Sequence, residues 1–156
     1  MKLLIFFFSL ILFNSCNAVV KPNFKKTVID SVLNNTKSQE KLIAIYDSQT
    51  RGYLLTFSVY ETYAILLKSN EQEPFKVMLL QKDVDELKLI IRDIPELEIA
   101  KYEAPTEKRF YDGAPHTTIT IFKNGEKYSS NTFDGGFPPK ALEVLVNKVL
   151  SLSPEK

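Results

Sequence analysis

Lys123-Asn124-Gly125-Glu126 constrains the fold more than any other stretch of this chain. Asparagine and glycine both tolerate positive φ, which the two central positions of a two-residue hairpin loop require. The flanks agree, because Thr117, Ile119 and Ile121 alternate with Thr118, Thr120 and Phe122. With Asn124 and Gly125 as the loop, Ile121 falls opposite Tyr128 and Ile119 opposite Ser130. Thr117, Ile119, Ile121 and Tyr128 then share one face. Thr118, Thr120, Phe122, Lys127 and Ser129 share the other, which is mostly polar. The chain is therefore expected to build an antiparallel sheet packed on one side and wetter on the other.

More strands precede this hairpin. Tyr53, Leu55, Phe57 and Val59 alternate with Leu54, Thr56, Ser58 and Tyr60, in a stretch rich in β-branched and aromatic residues. An apolar run over 42–46 ends at Asp47-Ser48, and 62–67 and 75–80 add further strands. The turn at Glu61 is poorly marked, so the segments on either side of it fit two strands or one long bent strand.

Helical spacing appears twice. Over 82–94, Val84, Leu87, Ile90, Ile91 and Ile94 fall on one face. Asp83 with Glu86 matches a capping box, and Pro95 ends the segment. Leu142, Leu145, Val146 and Val149 form a second stripe, entered through Pro138-Pro139 and followed by Pro154. The expected class is α+β, an antiparallel sheet with two main helices. A shift of 55 positions lays Thr62 to Lys68 on Thr117 to Lys123 and the first stripe on the second. That fits a duplicated ββα unit, but identities are few and the loops differ, so two unrelated ββα segments aligned helix on helix is the favoured reading.

The first residues carry a different signal. Met1-Lys2 is followed by 3–13, apolar except for Ser9. This run is shorter than the roughly 20 residues that cross a bilayer, and it suits a secretory signal. Phe13-Asn14-Ser15-Cys16 resembles the lipobox of bacterial lipoproteins: an apolar residue, a variable one, a small one, then cysteine. The resemblance spans residues 1–16. It implies cleavage before Cys16, lipid on its thiol, and a mature protein held to a membrane after Sec export. Cys16 is also the chain's single cysteine, so the mature domain can form no disulfide. The other reading is an ordinary signal peptide cut after Asn17-Ala18, with an incidental cysteine. The expected organisation is a signal over 1–15, a tether over 16–39 with a short helix over 25–33, and a single α+β domain over 40–156.

Charge narrows the partners. Removing Lys2 from the 20 basic side chains leaves them equal in number to the 19 acidic ones. No basic tract exists, so no nucleic-acid partner is expected. The partner classes left are the membrane, through Cys16, and another envelope protein or a small ligand. Five glycines and no phosphate-cradling motif leave little room for a nucleotide site, so no cofactor is expected. A single histidine, His116, with no thiol beside it excludes the usual zinc ligand sets, and no metal is expected.

The residues left as a candidate surface lie around two Asp-Gly turns. They are Phe110, Tyr111, Asp112 and His116, then Phe133, Asp134 and Phe137. Aromatic side chains on loops supply contact area at low entropic cost. Phe133 and Phe137 also fit a second role, plugging the junction between sheet and last helix. The chain is thus read as an envelope lipoprotein with a non-catalytic binding or inhibitor module. One alternative is a structural or assembly lipoprotein, favoured by an open sheet edge at 42–46. Another is a hydrolase in which Asp112 or Asp134 orients His116.

Overall fold

The computed structural model describes residues 40–71 and 73–154. The chain divides into two units, Met1–Gln39 and Glu40–Lys156, and all the described structure belongs to the second. The signal segment, Cys16, the tether and the helix over 25–33 lie outside the described residues.

Among the described residues there are seven strands and two α-helices, in agreement with an α+β class. The strands are β1 (Leu42–Thr50), β2 (Tyr53–Tyr60), β3 (Tyr63–Lys68), β4 (Phe75–Met78), β5 (His116–Lys123), β6 (Glu126–Ser129) and β7 (Phe133–Asp134). The helices are α1 (Gln81–Arg92) and α2 (Glu143–Ser151). The sheet order is β4-β3-β2-β1-β5-β6, with β7 pairing the start of β5, and all pairings are antiparallel.

The hairpin forms as its residues dictate. Asn124 and Gly125 adopt φ of 54° and 85°. Ile121 pairs with Tyr128, and the Ser130 amide donates to the Ile119 carbonyl at 2.9 Å. At Glu61 the chain turns, so β2 and β3 are two strands rather than one bent one.

Strand β1 corrects the expectation most. It does not stop at Asp47-Ser48 but runs through them, and it lies in the middle of the sheet instead of at an edge. Both polar side chains find partners. Asp47 accepts from the Thr56 hydroxyl at 2.5 Å, and Ser48 shares a 3.1 Å hydrogen bond with Thr117 across the β1–β5 ladder. Satisfied polar groups do not break a strand. Arg51 and Gly52, the latter at φ 78°, then close a two-residue hairpin into β2.

Alternation sends Ala44, Tyr46, Phe57, Val59, Ala64, Leu66, Ile119 and Ile121 to one face, and all are buried. Val84, Leu87 and Ile91 of α1 and Leu145, Val146 and Val149 of α2 join the same core. The helices touch each other, α1 reaches β5, and α2 reaches β1. The helical layer therefore sits over the middle of the sheet. On the opposite face, Tyr60 and Tyr63 shield each other with ring centroids 4.7 Å apart, and Lys76 Nζ lies 3.6 Å from the Tyr63 ring centre. That face is less wet than its Thr and Ser residues imply.

The capping box is a second correction. The N-cap of α1 is Leu80, without a side-chain cap, and Asp83 lies inside the first turn. Asp83 and Glu86 instead accept from Lys148 of α2, at 3.0 and 2.5 Å. Burial pulls the Lys148 ammonium pKa down, but the two carboxylates outweigh it and raise it. At the other end of α1, Lys123 Nζ donates to the Ile94 carbonyl at 2.9 Å and to Glu96 at 2.6 Å. The cation sits where the carbonyls of the helix end gather. The hydrogen bond from Lys123 holds the Glu96 carboxyl below its ordinary value.

Candidate functional site

Residues 104–115 link the α1 region to β5 as irregular chain holding one 3₁₀ turn, Lys108–Tyr111. Such a segment needs an anchor, because its backbone groups have no ladder to join. Asp134 is that anchor. Its carboxylate accepts from the Thr106 hydroxyl at 2.5 Å, the Lys108 amide at 2.6 Å and the Arg109 amide at 3.0 Å. Arg109 Nη1 adds an ion pair at 2.9 Å and also reaches the Thr106 carbonyl at 2.7 Å. The Asp134 side chain is 0% exposed and that of Arg109 10%. Burial alone pushes the Asp134 carboxyl up, but these hydrogen bonds outweigh it and hold the group far below the carboxylate range.

The same arginine positions an aromatic ring. Its Cζ lies 4.3 Å from the Phe110 ring centre, and the His116 ring meets Phe110 edge-on at 6.2 Å and 74°. Phe110 is thus held from two directions while most of it stays exposed. A cleft of about 900 Å³ opens beside it. The β1–β2 tip, with Gln49, Arg51 and Gly52, forms one wall, and Arg109, Phe110, Asp112 and His116 form the other. Arg51 and Asp112 face each other at 3.7 Å, both well exposed, and such a pair contributes little to stability. Asp112 has a φ of 56°, which its short polar side chain tolerates.

The structure thus brings together Phe110, Asp112 and His116. Tyr111 is exposed beside them in sequence. Phe137 is partly exposed, with Lys108 Nζ 4.1 Å from its ring centre. Phe133 and Asp134 are fully buried, so they support the site from beneath and present nothing to a ligand. Gly135 shows how tight this support is: a Cβ there would lie 3.1 Å from Pro115 and from Thr117 Oγ1. At Gly136, φ is 86°, and the Phe137 amide closes the turn on the Asp134 carbonyl at 2.8 Å.

Sequence reasoning missed Arg51 and Arg109. Arg-Gly between two alternating runs was the available signal for the first. Nothing local marks the second, whose partner lies 25 residues away. Among the described residues no carboxylate hydrogen-bonds His116, and no group of three or more His, Cys, Asp or Glu could hold a metal ion. Among them, too, no helix is long and apolar enough to cross a membrane. The chain matches no protein-family model, no curated protein and no solved structure.

Proposed function

We propose that this chain is a bacterial envelope lipoprotein, tethered through lipid on Cys16, whose α+β domain binds a partner without turning it over. The ligand site is the cleft between the β1–β2 tip and the loop 108–116. The observation that carries the reading is the Phe110 ring, exposed yet fixed by Arg109 and His116 over a buried carboxylate. Rings held in place before contact lose little entropy on binding. A hydrolase would place a carboxylate on His116, and a ring edge occupies that neighbourhood instead. The tether rests on Ser15-Cys16 and the apolar run before them. Each buried methylene contributes about 0.8 kcal/mol, so two or three acyl chains hold a domain firmly.

Two experiments test the two halves separately. Metabolic labelling with a palmitate analogue should mark the wild type and not Cys16→Ala; equal label in both removes the tether. For the cleft, the domain should retain a partner from envelope extract, and Phe110→Ala together with Arg51→Ala should lose it. Retention of the same partner by the double variant would move the site elsewhere.

A further inference from the structure

Strand β4 forms one outer edge of the sheet, and among the described residues no strand pairs with it on that side. The Leu79 amide donates to the Thr62 carbonyl at 2.9 Å, and Ala64 pairs with Val77 and Leu66 with Phe75. In an antiparallel ladder, alternate residues bond to the same neighbour. Phe75, Val77 and Leu79 therefore face β3, and the N–H and C=O groups of Lys76 and Met78 point outward. Among the described residues these outward groups meet no partner.

Two further observations mark the edge. Phe75 is 53% and Met78 69% exposed: Phe75 lies on the helix-bearing face but outside the core that Val77 and Leu79 pack against, and Met78 lies on the opposite face, paired with Tyr63. The one charge in the strand is also diverted. A lysine on an edge normally discourages pairing, but Lys76 lays its ammonium over the Tyr63 ring of its own sheet.

We infer that β4 pairs with β4 of a second copy of this chain, antiparallel and centred on Val77. The strand's own residues select that register. Pro74 has no N–H to offer, and the Leu80 carbonyl is already taken by the Asp83 and Val84 amides. Only Lys76 and Met78 present both groups, so the outward window is centred between them. A two-fold axis at Val77 sets each Lys76 against the Met78 of its mate and uses every outward donor and acceptor. It also places Val77 against Val77 and Phe75 against Leu79 on the helix-bearing side, covering the exposed phenylalanine. Centring on Lys76 would oppose two ammonium-bearing strands at one point and call on Pro74. The patch is the same on both copies, as a two-fold interface demands. A four-residue edge buries less than the roughly 1,200 Å² of a standard interface, so the association is reversible.

The register can be tested by disulfide trapping in the unit Glu40–Lys156, which carries its own core and no cysteine. Under mild oxidation Val77→Cys should give a covalent dimer. Phe75→Cys and Leu79→Cys should each stay monomeric alone and cross-link when mixed. No dimer at position 77, or equal yields at all three positions, overturns the register and the pairing. Sedimentation equilibrium gives the second arm. The unmodified unit should associate with rising concentration, and Met78→Pro should abolish this, since it deletes an outward N–H and leaves the β3 ladder whole. Should Met78→Pro disturb the circular dichroism, Met78→Lys, which sets like charges across the axis, should abolish association with the spectrum intact. Undiminished association of a folded variant overturns the proposal.

Discussion

The two edges of this sheet are built differently. On one side β4 offers Phe75, Lys76, Val77 and Met78 in an uninterrupted run. On the other, β6 reads Glu126, Lys127, Tyr128, Ser129, and it covers only the far half of β5. After Ser130, residues 131–132 leave the ladder, and β7 returns to cover the near half. Charge, shortness and a break are the standard ways to blunt an edge. The β6–β7 edge combines charge with a break; β4 is just as short but unbroken, and its one charge, Lys76, is drawn onto the Tyr63 ring. One sheet thus carries a closed margin, which also supports the cleft, and an open one.

The strongest way to break this contrast is a pair of phenylalanines, one at each margin. Phe133→Ala removes a fully buried ring beneath the closed edge and should cost about 3–5 kcal/mol in urea unfolding. Phe75→Ala, at the open edge, should cost under about 1 kcal/mol. Equal losses would mean that the two margins are not distinct.

Asp134→Asn comes next. It leaves Arg109 buried beside a neutral group, and the melting temperature should fall by roughly 10 °C or more. The pH dependence sharpens the point. The folded carboxyl titrates below its unfolded value, so its stabilisation is complete above the unfolded value and drains away as pH falls below about 4. The wild type should show that decline in melting temperature, and Asp134→Asn should show less of it. A parallel pH profile would separate the carboxylate from the closed edge.

Gly135→Ala should cost about 1–3 kcal/mol, because the methyl would lie 3.1 Å from Pro115 and from the buried Thr117, which must shift to admit it. The smallest effect is expected from Met78→Lys, within about 0.5 kcal/mol of wild type, since this side chain stands in solvent at the open edge. A larger loss would show that β4 depends on it.

Local chemistry was legible in the sequence, and long-range pairing was not. Asn124-Gly125 announces its turn because positive φ is a property of two residues. Leu142, Leu145, Val146 and Val149 announce a helix because burial repeats every turn, and all four are buried. By contrast, Asp47-Ser48 resembles a strand end until Thr56 and Thr117 supply hydrogen bonds from neighbouring strands. Asp83 and Glu86 resemble a capping box until Lys148 claims both. Asp134 in an Asp-Gly pair looks like an ordinary turn residue, and only the fold brings Thr106 and Arg109 to it. At the candidate site, Phe110, Asp112 and His116 were visible as a cluster because they are close in sequence. The opposing wall at Arg51 came from a hairpin far upstream.

Lys123 shows how the two layers keep each other in step. It ends β5 immediately before the hairpin loop, and its ammonium closes on the end of α1. A slip of β5 by one residue would swing this side chain to the far surface of the sheet, out of reach of those carbonyls. The end of the helix thus acts as a gauge of strand alignment: it is tied down in one setting of the sheet and left loose in its neighbours.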